Sequence, residues 1–488
     1  MNNINKNNQR LPLVTEIPNP PAALQAFEAF KDKPSCFFLD SGMDPQRLGR
    51  YSFMGSDPFL VMKSRGREIS LISAEGEKVF SSNPFDVLGE LLREYKIEGN
   101  HSKLPFLGGA VGYLSYDLGH FIEKLPSHAI DDLQLPECYF GFYDAIVAFD
   151  NLENRTYIVS TGFPEVVGKR QSRAEARLEE MIRTVAQAPR PEEDRASYFA
   201  NTSNKRVNLR ANFTHEGYLE AVQKAREYII AGDIFQVNLS QRFEADMPIP
   251  PYELYRRLRK INPAPFASYL NFDGITVVSA SPERFLKLQG DIVETRPIKG
   301  TRPRDKDPAA DDKLAQELLN SFKDKAEHVM IVDLERNDIG RVCRFGTVRV
   351  SELMALEKYA TVFHLTSTVK GRLRPGKNAI DLLKATFPGG SISGAPKVRA
   401  MEIIDEVEPT RRGVYTGSIG YLSFDGNLDL NIVIRTILVK GKKAYFQVGG
   451  AVVYDSDPEG EYVETLDKAK ALIQALSMVP QLVTESAR

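Results

Sequence analysis

Two hydrophobic periods alternate along the chain. Apolar residues recur at helical spacing over 84–95, where Val87, Leu88, Leu91 and Leu92 share one side, and after Thr214, where Tyr218, Ala221, Ala225 and Ile229 do. Thr214 is placed to cap the second of these helices and Gly232 to stop it. The same reading predicts helices over 21–31, 172–188, 311–328, 396–406 and 459–476, and one in PPYELYRRLRKI. Short apolar runs predict strands over 59–63, 145–149 and 155–160, and in FQVNLSQRFEA, ASYLNF, ITVVSAS, RFLKLQ, VMIVDL, GSIGYLSF, LNIVIRTILV and AYFQVG. GGAVGYLSYD reads as a strand where backbones approach closely. Asp425-Gly426 and Lys440-Gly441 supply hairpin turns. Strands in runs, rather than in strict alternation with helices, predict an α+β fold: large antiparallel sheets packed as a sandwich with helices outside.

Breaks in this pattern set the domains. Residues 1–10 are polar and Asn-rich and read as a mobile tail, with no apolar signal core, as in a cytoplasmic protein. Residues 187–208 are charged, carry two prolines and read as a linker between an N-terminal domain (11–186) and a larger one (209–488). A net charge of −2 gives no electrostatic reason for nucleic acid or an anionic membrane as partner, and no apolar run is long enough for a membrane span. Cys36, Cys138 and Cys343 each stand alone in an apolar run, which argues for inert buried thiols over zinc or a disulfide framework.

Candidate chemistry then comes from local constellations. Asp324 and Glu327, and Glu461 and Glu464, are three apart on two predicted helices, so each pair lies on one face. Facing each other across a cleft they would suit Mg²⁺; apart, they are solvated helix faces. FPGGSISGAPK and Gly449-Gly450 put glycine-rich turns ahead of helices, as anion sites or as plain tight turns. Arg435 stands inside the apolar run LNIVIRTILV, where it must pair with an acid or grip a substrate carboxylate. Lys299, in ETRPIKGTRPR, can be an anion clamp, a solvated charge or a nucleophile; an amine attacks only when deprotonated.

Together PIKGTR, SPERF, AEHVMIVDLERNDIGRVC, FPGGSISGAPK, YTGSIGY and the GGA-to-YVET segment resemble the chorismate-utilising enzymes, densely over 210–480 and more weakly over 38–59. The resemblance implies Mg²⁺ between Glu327 and Glu464, with Glu461 and Asp324 as outer partners; Asp324 is shorter than the glutamate many members carry. It implies substrate contacts from Gly300, Thr301, Ser391, Tyr415, Arg435, Gly449, Gly450 and Lys468, Arg435 gripping the enolpyruvyl carboxylate. Glu283 resembles the general acid, and His364 a residue on the leaving-group side or a packed core histidine.

Members differ in what attacks ring carbon 2. Water-adding members use a lysine where this chain has Gln236, and anthranilate synthases usually have alanine within PIAGTR. Lysine at 299 is the mark of the aminodeoxychorismate synthase component I branch. There the lysine attacks carbon 2 as the carbon-4 hydroxyl leaves, and ammonia then replaces it at carbon 4, toward 4-aminobenzoate and folate. With no Gly-x-Cys-x-Gly elbow in the sequence, ammonia is expected from a separate glutamine amidotransferase subunit. The alternatives are anthranilate synthase component I and a silent, tryptophan-binding regulatory subunit. The resemblance also points to a tryptophan pocket from Ser41, Arg50, Tyr51, Pro265, Phe266 and Ala267, with Asp40 in place of the usual glutamate; the same residues could equally be an ordinary packed core.

Overall fold

Two antiparallel sheets, each of twelve strands, form the body of the molecule. The computed structural model describes residues 12–99, 103–189, 207–359 and 362–477. The expected tail thus lies outside the described residues, as does most of the expected linker. Strands from the two sides of that linker share both sheets. In one sheet Cys36–Asp40 pairs with Phe266–Phe272; in the other Gly109–Leu114 pairs with Ser418–Ser423.

The main core lies between the sheets, where Phe37, Phe53 and Leu270 of one meet Val111, Leu286 and Leu430 of the other. A second core, with Phe38, Tyr269 and Val278, backs the first sheet against the helices Val167–Ala186, Pro251–Ile261 and Pro458–Leu476. Alternation along the strands serves both: Phe37 faces one core and Phe38 the other. Helices Pro308–Asn320 and Phe322–Gly340 pack on the end strands of the second sheet, Ile298–Pro303 and Val362–Arg372. Among the described residues no helix is long and apolar enough to cross a membrane.

Caps fall where the sequence signals them. Thr214 accepts from Gly217 N, Asp307 and Asp457 cap helices with proline in the first turn, and Ser321 caps Phe322–Gly340. Three expectations are corrected. The helix expected over 311–328 is two, parted at Ser321, whose extended backbone ends one and caps the next. VMIVDL is helical, not a strand: it is the middle of Phe322–Gly340, and a short apolar run does not tell the two apart. LNIVIRTILV is not one strand but two, Leu428–Asn431 and Thr436–Lys440, one in each sheet. Arg435 stands at the crossing with a positive φ of 53°, not within a strand. The three cysteines are free and buried, and burial pushes the Cys36 thiol up to about 12.

Candidate active site

The end strand Ile298–Pro303 presents Lys299 to the helix packed against it. Lys299 Nζ lies 3.0 Å from Glu327 Oε2, and both side chains are 15% exposed. Gly300 takes φ +84°, and a Cβ there would meet Leu318 and Asp324 at 3.0 and 3.2 Å. Glycine thus lets the strand turn against the two helices, with the lysine beside it paired to Glu327 of the second. The Thr301 hydroxyl lies 2.9 Å from His364 Nδ1 on the neighbouring strand. Burial pulls the His364 imidazole down to about 4, so the ring is neutral at pH 7.

Glu283 follows the strand Ile275–Ser281 and is 4% exposed. Ile298 N donates to its Oε1 at 3.4 Å, so it sits one peptide from Lys299. Burial pushes its carboxyl up to about 7, against lowering by Lys299. The Ser391 hydroxyl lies beside it without closing a well-formed hydrogen bond.

The second acidic helix approaches from the other sheet. Helix Pro458–Leu476 packs on the strand Lys443–Val452; Gly449-Gly450, expected as a turn, lies inside that strand, paired with Ser240 and Leu239, and a Cβ on Gly450 would meet Glu461 Oε2 at 2.8 Å and Glu464 Oε1 at 3.5 Å. Glu461 takes a hydrogen bond from Ser456 at 2.6 Å on Oε1, while its buried Oε2 has no partner. Glu464 is held by Lys468 at 2.6 Å, and Lys468 also donates to Gly449 O at 2.8 Å. Burial raises the Glu464 carboxyl, but Lys468, helped by Lys299, outweighs it and leaves it below the usual range. Arg435 donates to Lys468 O at 2.9 Å, and burial holds its guanidinium below its ordinary value. Tyr415 packs near the Arg412 guanidinium, and burial pushes its phenol up to about 12.

Asp324 gives its carboxylate to Arg302 at 2.9 Å. Glu327, Glu461 and Glu464 are hard oxygen donors, and the unpartnered Glu461 Oε2 suits a cation such as Mg²⁺. As they stand, no group of three acids is drawn close enough to enclose an ion among the described residues, for Lys299 and Lys468 hold two of the carboxylates. Two carboxylates, water and substrate oxygens suffice for magnesium, so the donor chemistry fits.

The sequence reading missed several buried groups behind this site. Glu335 accepts from Thr295 at 2.7 Å, and burial pushes it up to about 8. Lys397, in SGAPK, pairs with Asp338 of the Glu327 helix and donates to Thr386 O and Pro388 O at 2.8 and 2.9 Å, which ties the loop before Ser391 to that helix. Arg412 and Glu408 form an ion pair with side chains 2% and 1% exposed; Arg412 also donates to Ile392 O and Asn238 O. The signal lay in the spacing: Glu327, Ile331, Glu335 and Asp338 follow one another at steps of four, four and three, one face of a helix. Gln236 is fully buried, and neither end of its amide has a partner. Apart from these groups, Ser41, Arg50, Tyr51, Pro265, Phe266 and Ala267 line a cavity of about 300 Å³ between the sheets.

Comparison with known proteins gives a family model, chorismate binding enzyme, matching residues 17–474. The chain is 41% identical over 480 residues to aminodeoxychorismate synthase component 1 of Bacillus subtilis (strain 168), covering 96% of this chain and 98% of that one. It is also 41% identical over 456 residues to anthranilate synthase component 1 of Acetivibrio thermocellus, covering 93% and 92%. Anthranilate synthase component I from Streptococcus pneumoniae TIGR4 superposes with a TM-score of 0.76 at 35% identity, over 87% of this chain and 92% of that one.

Proposed function

Because the chain belongs to the chorismate-binding enzyme family, we propose that it aminates chorismate at carbon 4, with Lys299 as a transient covalent partner of the ring. The observation that carries this reading is the position of Lys299, its nitrogen 3.0 Å from Glu327 and its strand hydrogen-bonded to Glu283. Arg435 and Lys468 stand ready for the substrate carboxylates, beside Gly449 and Gly450 of the strand Lys443–Val452. Mg²⁺ held by Glu327 and Glu464, with Glu461 and Asp324 around them, would supply charge to bind the ring carboxylate and draw electron density from the ring. Glu327 would then serve the ion rather than Lys299, which would leave the lysine amine free.

In the first displacement a bond forms from Lys299 Nζ to carbon 2, the ring double bond shifts, and the bond from carbon 4 to its oxygen breaks. Glu283, protonated near neutrality, gives its proton to the departing hydroxyl, which leaves as water. His364, neutral and tied to Thr301, lines that side. In the second displacement ammonia attacks carbon 4, the double bond shifts back, and the bond from carbon 2 to Lys299 breaks. The proton that ammonia sheds on bonding to carbon 4 returns to Glu283, so the products are 4-amino-4-deoxychorismate and water, and both the lysine amine and the acid are regenerated. A glutamine amidotransferase subunit supplies the ammonia, and the product leads to 4-aminobenzoate and folate in the cytoplasm.

The second reading is anthranilate synthase, favoured by relatives that match this chain as closely. In that reaction ammonia itself adds at carbon 2, and a lysine there is in the way. Product analysis with chorismate, Mg²⁺ and ammonium separates the two. We expect 4-amino-4-deoxychorismate from the wild type, a chorismate-derived mass adduct on Lys299, and loss of the 4-amino product in Lys299→Ala. A fluorescent anthranilate product with pyruvate release, or an undiminished 4-amino product from Lys299→Ala, overturns the proposal.

A further inference from the structure

We propose that Glu335 is a positioning residue for the acid step: a second buried carboxyl behind Glu283 that steadies, through the Ser391 hydroxyl, the carboxylate Glu283 becomes on giving up its proton. The inference rests on the reading above only in that chorismate loses its carbon-4 hydroxyl with help from Glu283, which either product requires.

Glu335 lies about two turns along Phe322–Gly340 from Glu327 and is buried. Three contacts seat it behind the acid. Its Oε2 takes the Thr295 hydroxyl at 2.7 Å, and the chain runs on from Thr295 to Ile298, whose N–H donates to Glu283. The turn before Ser391 lies against it: a Cβ on Gly390 would meet Leu334 at 2.8 Å and Glu335 Cγ at 3.7 Å. Ser391 itself has a buried hydroxyl beside Glu283 that closes no well-formed hydrogen bond. A buried hydroxyl of that kind calls for partners, and it can donate to a carboxylate while accepting from a carboxylic acid.

The surroundings keep Glu335 in the acid form. Glu283 and Asp338 are the acids that act on it, and Lys397 the opposing cation. Lys397 is held by Asp338 and by the carbonyls of Thr386 and Pro388. Burial, helped by Glu283 and Asp338 against Thr295 and Lys397, pushes the carboxyl up to about 8. Glu283, with Lys299 acting on it, stands at about 7. Glu335 thus still holds its proton when Glu283 has given its own away, and the two carboxyls share one proton. A buried negative charge spread in this way is less costly than one left alone. Glu335 keeps its proton through the cycle; the proton passed to the hydroxyl is the one that returns to Glu283.

Glu335→Gln keeps the size of the side chain and an acceptor for Thr295, but has no proton to lose. Chorismate consumption with Mg²⁺ at constant free ammonia, followed from pH 6 to 9.5, gives the ratio of wild-type to variant kcat/KM. The ratio is expected to be constant and several-fold above one up to about pH 8, then to fall about tenfold per pH unit, because the wild type alone loses a second proton. A merely structural carboxyl, with both proteins folded by circular dichroism at each pH, gives a ratio that does not move. Thr295→Val removes a bond that lowers the Glu335 value, so its break should move to higher pH; this variant carries the test if Glu335→Gln does not fold. A ratio independent of pH in folded Glu335→Gln, or a Thr295→Val break left at the wild-type pH, overturns the proposal. Product analysis of the wild type decides separately which amine is made, and neither product alters the expected ratio.

Discussion

A carboxyl group that must give up a proton at neutral pH has to be kept from ionising, and Glu283 achieves this by burial. Its value near 7 means the acid form is present below that pH and is lost as pH rises through it. At constant free ammonia, kcat/KM for chorismate is therefore expected to fall as pH rises through about 7. Glu283→Gln should remove that limb and cost about 10²–10⁴ in rate, the usual contribution of a general acid. Steady-state kinetics across pH on both proteins checks this; a wild-type profile flat from pH 6 to 9 contradicts it. The residues proposed to carry chemistry could be singled out because their motifs fix identity as well as spacing: Lys299 pairs with Glu327, its strand bonds to Glu283, and its charge reaches Glu464. Glu335 shares the Glu327 face at helical spacing and could have been found there; Lys397 and Arg412 could not, because their place depends on which buried atoms they meet, and no local pattern states that.

At the scale of elements, the cleft depends on two close approaches that only glycine allows. Gly450 lets the Lys443–Val452 strand lie under the acidic face of Pro458–Leu476. Gly450→Ala would drive a methyl to 2.8 Å from Glu461 Oε2, so the Glu461 carboxylate must swing out of its present place. Since a misplacement of about 1 Å can cost about 100-fold in rate, activity should fall by up to about that factor while stability changes by less than about 1 kcal/mol. Kinetics set against chemical denaturation separates the two effects. Elements were legible where a cap or turn marked their ends, as at Thr214, Gly232 and Asp425-Gly426. They were misread where an apolar run had no internal punctuation. VMIVDL could be helix or strand, and LNIVIRTILV hides a change of sheet at Arg435 that only tertiary packing reveals.

Over the whole molecule, the buried carboxyls set the response of stability to pH. Burial pushes Asp117, Glu283 and Glu335 up to about 6, 7 and 8. Between the ordinary carboxyl range and those values the folded protein holds protons that the unfolded chain has released. The unfolded state then binds fewer protons, so stability falls as pH rises across that window. The thermal midpoint is expected to be several degrees lower at pH 9 than at pH 6. Glu335→Gln, which keeps an acceptor for Thr295, should flatten the upper part of that slope. Scanning calorimetry at matched ionic strength tests both, and a midpoint that rises from pH 6 to pH 9 contradicts the account.

The sharing of both sheets by the two sides of the chain bears on how the protein is made. Leu114 waits for Ser418 and Leu39 for Ser268, so the first half leaves the ribosome with two raw strand borders and nothing to close them. Such borders invite pairing with other nascent copies. One closes when the strand at 266 emerges; the other stays open until nearly the whole polypeptide has been synthesised. Cells that produce this protein quickly must shield that border during translation, or lose part of each batch to clumping before a single cleft has formed.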